Sequence, residues 1–231
     1  MRRIGFVIAT ALLAGLPGAA QDPVKVSPEQ YKVEMENEQV RVLRIKRPAH
    51  AKIPMHEHPA AVAVFLTDLH ARVVGADGKV QEVVQKAGGT AFQPPVRHAE
   101  ENISDKPFEA ILVELKSRPS AAKAPPVALD PVKLDPKYHT VDFENERVRV
   151  LRTVMEPHVK SPLHEHPPYV VVYLTDLHTT MTLADGTVRD NPRKAGEVAW
   201  RDAMKHSTEQ MGDRRAEEIQ IELKSAPARA R

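Results

Sequence analysis

Along this chain, apolar positions come in short bursts, never in long runs of helical period. Val40 to Ile45 mixes apolar and basic residues, with Val40, Leu43 and Ile45 out of strict two-residue phase. Val62 to Leu66 is a brief apolar run, and Ala110 to Leu115 is another strand candidate. Asp77-Gly78 and Asp185-Gly186 are hairpin-turn dipeptides between strand-like stretches. Strands this short, with a turn signal about every ten residues, predict an all-β sandwich or barrel. The 20 prolines and the aromatic content of 4% agree with strands and turns rather than long helices.

The pattern repeats. Shifted by 108 positions, Asp22–Ser117 overlays Asp130–Ser225 without a gap, and about 45 of the 96 aligned residues are identical. Val40-Arg41-Val42-Leu43-Arg44 returns as Val148-Arg149-Val150-Leu151-Arg152, and Leu66-Thr67-Asp68-Leu69-His70 as Leu174-Thr175-Asp176-Leu177-His178. A period this long is domain-sized, far beyond a solenoid repeat. The expected organisation is a domain over 21–117, a Pro/Ala-rich linker over 118–129, a second domain over 130–225 and a basic tail over 226–231.

Residues 1–20 read as an export signal. Arg2 and Arg3 precede the apolar run Ile4 to Leu16, and Gly18-Ala19-Ala20 offers small residues for cleavage before Gln21. The repeat begins at that same point. The mature protein is therefore expected to be periplasmic or secreted, with no stable membrane anchor. Cleavage also changes the charge. The whole chain has 33 Lys+Arg against 31 Asp+Glu, and losing two arginines leaves 31 against 31. A formally neutral chain gives no footprint for nucleic acid or an anionic membrane, so a small molecule is the expected partner. With no cysteine, disulfides and thiolate ligands are excluded, and a metal would rely on imidazole, carboxylate or water.

Ten of the 11 histidines pair at the repeat offset: His50/His158, His56/His164, His58/His166, His70/His178 and His98/His206. Only His139 is unmatched, aligning with Tyr31. On a strand, His56 and His58 point to one face, able to grip one ion, while Glu57 points away; His164 and His166 repeat the arrangement. His98 and His206 each lie 40 residues beyond the second histidine of a pair. A third imidazole from another strand would complete a facial triad with open positions on the metal. His50, His70, His158 and His178 are candidates for supporting or substrate-facing roles, or polar residues at strand ends. Among the acids shared by both copies, Glu101/Glu209 are expected at the surface, as odd spacing from the histidine turns them outward, and Asp68/Asp176 in turns. Phe92/Trp200 are read as wall or core. Tyr169 and Tyr173, beside Ala61 and Phe65 of the first copy, mark where two pockets would differ.

The motifs resemble those of the cupin superfamily. His56-Glu57-His58-Pro59 and His164-Glu165-His166-Pro167 match the core of its first motif, H-x-H-(3 or 4)-E. Gly88, Pro94, His98 and Asn102 match its second, with one residue fewer between proline and histidine than is usual; Gly196, His206 and Gln210 match it more loosely, with Asp202 at the proline position. The resemblance covers nearly all of both copies and implies a bicupin: two tandem jelly-roll-type β-barrels, each holding up to one divalent transition metal (Fe, Mn, Ni, Cu or Zn). There are departures. The motif glutamate should fall near Val62 or Ala63 and near Val170 or Val171, none of them acidic, and His50 and His158 stand where a leading glycine is usual. Three-histidine iron sites in cupins of the thiol dioxygenase type imply that this loss does not abolish metal binding. A neutral triad leaves the ion its full charge, favouring anionic ligands. The resemblance implies an enzyme on a small anionic or oxygen-rich molecule, with dioxygen-dependent oxidation first among reactions that in related cupins include isomerisation, decarboxylation and lyase chemistry. The alternatives are a non-catalytic ligand- or metal-binding bicupin and a structural barrel with relic sites. A bicupin mimics within one chain the dimer of single cupins, so a monomer or a homo-oligomer is expected.

Overall fold

In a computed structural model, which describes residues 21–116 and 127–224, the apolar bursts form two copies of one β-sandwich. The export signal, most of the linker and the basic tail lie outside the described residues. The first copy runs α1 (Pro23–Val26), β1 (Tyr31–Glu36), β2 (Val40–Arg47), β3 (Lys52–His58), β4 (Ala61–Phe65), β5 (Leu69–Gly75), β6 (Val80–Gln85), β7 (Thr90–Gln93), β8 (Val96–Asn102) and β9 (Phe108–Leu115). The second runs α2 (Pro131–Leu134), β10 (His139–Glu144), β11 (Val148–Met155), β12 (His164–His166), β13 (Tyr169–Tyr173), β14 (Leu177–Leu183), β15 (Val188–Arg193), β16 (Val198–Arg201), β17 (Met204–Gln210) and β18 (Ala216–Leu223). Each copy pairs a five-stranded sheet, β1-β2-β9-β4-β7 or β10-β11-β18-β13-β16, with a four-stranded one, β3-β8-β5-β6 or β12-β17-β14-β15. Among the described residues no helix is long and apolar enough to cross a membrane.

The imperfect phasing of β2 has a physical cause: both of its faces are buried. Val40 and Val42 face outward into a core shared with Val148 and Val150 of the second copy, while Leu43 and Ile45 face inward with Tyr31 and Phe108. The same division holds in β9, where Ile111 and Val113 join the shared core and Ala110 and Leu112 the inner one. The two five-stranded sheets thus pack back to back, each copy covering the apolar face of the other. Phe92 and Trp200 sit against this shared core.

Polar clamps close the same interface. Arg44 Nη2 donates to the Gly196 carbonyl at 2.6 Å, and Arg152 Nη2 donates to the Gly88 carbonyl at 2.7 Å. Gly88 and Gly196 have φ of 78° and 83°, a turn conformation that a side chain would strain. Asp68 and Asp176 brace these turns by accepting from the amides of Ala87 and Ala195, each at 2.9 Å. His50 and His158 also have positive φ, 59° and 58°, so the residues at the leading-glycine position keep the backbone that glycine would give.

Candidate metal centres

Strand register assembles each cluster. His56 on β3 lies directly across from His98 on β8, and His164 on β12 across from His206 on β17. His58 and His166, two residues on, share the same inward face. In each copy the three imidazoles offer ligand atoms within 4.8 Å of one another, and no glutamate is in either cluster. All six rings are buried, and Glu57 pairs instead with Arg97 at 3.5 Å.

Each paired histidine is oriented from behind. His56 Nδ1 donates to the Pro54 carbonyl at 2.8 Å and His164 Nδ1 to the Pro162 carbonyl at 2.8 Å. His58 Nδ1 lies 2.8 Å from Glu114, and His166 Nδ1 lies 2.7 Å from Glu222. A proton fixed on Nδ1 leaves Nε2 with its lone pair facing the cluster, the arrangement that metal-ligating histidines require. His98 Nε2 and His166 Nε2 are buried without a hydrogen-bond partner, as is His206 Nδ1. One orphaned nitrogen thus lies in the first cluster and two in the second, and in each an ion's bond would replace the missing hydrogen bonds.

Burial also sets the protonation. Desolvation, with the neighbouring imidazoles adding to it, pushes His56 down to about 4 against the Pro54 carbonyl, and pushes His206 down to about 2. His98 and His164 are lowered too, again chiefly by burial. His56, His98, His164, His166 and His206 therefore favour the neutral form, the one that binds metal. For the metal-free protein the sign is as follows. An unfolded histidine takes up a proton near pH 6.5, but these five refuse it in the folded protein. Stability is complete above that pH and falls as pH drops from about 6.5 through about 4. The urea midpoint of chelator-treated protein should decline steadily across this range; a flat midpoint would contradict buried neutral triads.

The other four paired histidines are placed elsewhere. His50 and His158 are exposed, each 3.0 Å from an aspartate, Asp105 and Asp213. His70 and His178 are also at the surface, near Glu82 and Asp190. Among the described residues none of the four bonds to a cluster histidine; Glu114, Glu222 and the two proline carbonyls fill the supporting positions. Glu101 faces away from the cluster toward Lys52 and Arg72.

Beyond the triads the two copies diverge. In the first, the Tyr31 hydroxyl lies 3.2 Å from His56 Nε2 and accepts from Arg47 Nη2 at 3.1 Å. Arg47 Nη2 also pairs with Glu100 Oε2 at 2.6 Å. Burial alone would raise the Glu100 carboxyl, but Arg47, helped by His98 and His56, outweighs it and holds the group at about 2. At the repeat offset Tyr31, Arg47 and Glu100 become His139, Met155 and Thr208. His139 is buried with its ring centroid 5.2 Å from that of His164, a fourth imidazole beside the second cluster.

The cavity walls diverge as well. His164 and His206 open onto a cavity lined by Tyr169, Tyr173, Asn191, Arg201, Glu218 and Gln220. Arg201 Nη2 donates to the Asn191 side-chain oxygen Oδ1 at 3.2 Å and to the Tyr173 hydroxyl at 3.4 Å. Burial pushes the Glu218 carboxyl up to about 7, against the pull of the Gln220 amide and Arg201. The residues aligned with these six in the first copy are Ala61, Phe65, Val83, Gln93, Ala110 and Leu112. At these six positions the second cavity is polar and ionisable where the first is mostly apolar; the first keeps its own ionisable pair, Arg47 and Glu100, elsewhere on its wall.

Two tandem sandwiches, each with a buried three-histidine cluster on its inner face, define a bicupin fold. AerE from Microcystis aeruginosa is similar at a TM-score of 0.61 and 10% identity, over 84% of this chain and 92% of that one. A variant of the oxalate decarboxylase of Bacillus subtilis is similar at a TM-score of 0.58 and 14% identity, over 90% of this chain and 73% of that one. Another structure of that decarboxylase, which concerns its Mn(II) centres, has a TM-score of 0.58 at 13% identity, over 87% of this chain and 77% of that one. At these identities the likeness is one of fold. No protein-family model and no curated protein matches the sequence.

Proposed function

We propose that this chain is an exported, metal-dependent enzyme whose second centre acts on a small carboxylate-bearing, oxygen-rich molecule. Oxidation by dioxygen is the first reaction to test. The carrying observation is the wall of the second cavity, where Arg201 and Glu218 stand beside a neutral imidazole triad. His164, His166 and His206 would hold a divalent transition metal, which when bound supplies Lewis acidity and open positions for small ligands. Arg201 would pair with a substrate carboxylate through its planar guanidinium. Glu218, balanced near neutrality by burial, is suited to take up or release a proton at its carboxylate. Tyr169 and Tyr173 would shape the pocket around the bound molecule. Export rests on the N-terminal sequence, and a monomer suffices because each copy already covers the other's apolar face.

The test is turnover of a panel of small acids by metal-loaded mature chain, following dioxygen uptake, carbon dioxide release and substrate loss. The fold likeness to an oxalate decarboxylase places oxalate and hydroxy acids first in the panel. Glu218→Gln should lower kcat by about 10²–10⁴-fold and remove a pH dependence centred near 7. Arg201→Gln should mainly raise KM, by about tenfold or more. Turnover indifferent to both changes would place the chemistry elsewhere. An ion-loaded chain that binds acids without converting any would identify a binding module.

A further inference from the structure

The first copy holds a carboxylate that its motif omits. Glu100 follows His98 by two residues on β8, so its side chain points to the same inward face. Its Oε2 is held by Arg47 at 2.6 Å, and its Oε1 lies 3.9 Å from His98 Nε2. That separation is too long for a hydrogen bond, and His98 Nε2 is a buried nitrogen without a partner. Two ligands each about 2.1 Å from one ion stand roughly 3.0–3.5 Å apart when adjacent, so the carboxylate would have to swing toward the cluster to share the ion with His98.

We infer that Glu100 is a metal ligand of the first centre, supplied by the strand of the third histidine rather than by the strand after the histidine pair. The inference rests on the metal reading of the triads. Three coordinated differences support it. A buried Arg47 needs a counter-ion, and the second copy, which has Thr208 in place of Glu100, has also replaced Arg47 by Met155 and Tyr31 by His139. The carboxylate, the arginine that aims it and the tyrosine that joins the arginine to His56 thus come and go as a unit. The consequence is two unlike centres in one chain. The first has three nitrogens and an anionic oxygen, which favours a harder ion such as Mn²⁺ or Fe²⁺. The second is an all-imidazole set that leaves the ion's charge uncompensated.

The experiment uses mature chain with the second centre removed by His164→Ala and His166→Ala, and Co²⁺ as a visible probe. Adding Glu100→Gln should weaken Co²⁺ binding at least tenfold and shift its d–d absorption, because an anionic oxygen ligand is lost. An unchanged absorption band would overturn the inference, whether affinity held or fell, since a group that only positions a histidine leaves the ligand set intact. If Glu100→Gln does not fold, Arg47→Met with Glu100→Thr, the pairing the second copy carries, takes its place with the same readouts. A parent chain that takes up no Co²⁺ at the first centre would overturn the metal reading and this inference together. That result is distinct from a parent that binds and a variant whose spectrum does not move.

Discussion

With His164 and His166 replaced by alanine, the metal-loaded chain should retain one ion and lose all measurable turnover. With His56 and His58 replaced, it should also retain one ion but keep turnover largely intact. Both pairs are built alike, with Nδ1 bound behind the ring and Nε2 facing inward, so each double substitution removes two ligands of one centre. The triads lie inside different sandwiches, separated by the shared apolar core, so the losses should not spread from one to the other. The asymmetry in turnover follows from the cavities: each has an arginine and a carboxyl beside its imidazoles, but in the first Arg47 is paired with Glu100 and holds it ionised, whereas Glu218 of the second is poised near neutrality. Metal analysis and activity on the same samples check both halves. Equal loss of turnover in the two variants would mean that both centres work, or that chemistry needs the pair.

The second large effect is on stability. Arg47 is 2% exposed, and its guanidinium pairs with Glu100, donates to Tyr31 and lies 5.7 Å from the Phe108 ring centroid. Arg47→Met should cost about 3 kcal/mol, because it leaves the half-buried Glu100 carboxylate without its partner. The double substitution Arg47→Met with Glu100→Thr should recover most of that loss, since an apolar side chain replacing a buried ion pair is often close to neutral. Urea unfolding of metal-free single and double variants gives the coupling directly. A double variant as unstable as Arg47→Met alone would show that the arginine matters for packing rather than for the charge it neutralises.

The strands and the histidine pairs were legible in the sequence because they depend on local spacing, and the third histidine of each triad because the duplication repeats it at the same distance, 40 residues on. Alternate histidines share a strand face, and a domain-length repeat needs no tertiary information. The supporting groups were not legible, since they come from strands paired only in the fold. Glu114 reaches His58 from 56 positions away, and the clue to it was an acid shared by both copies, in phase with the inward Ala110 and Leu112 of FEAILVEL. Residues common to both copies stand out in a duplicated chain, and Glu100 does not, because its counterpart is Thr208. For the same reason His139 looked like the odd histidine, yet it packs beside His164. The blurred phase of β2 came from a strand buried on both faces, which only the packing of one copy on the other explains.

The most direct test of two built metal centres is the ion content of the mature, untagged chain after reconstitution with a divalent transition metal and removal of the excess. Two ions per chain are predicted, one for each buried triad. Fewer than one ion per chain, across manganese, iron, nickel, copper and zinc, would contradict it.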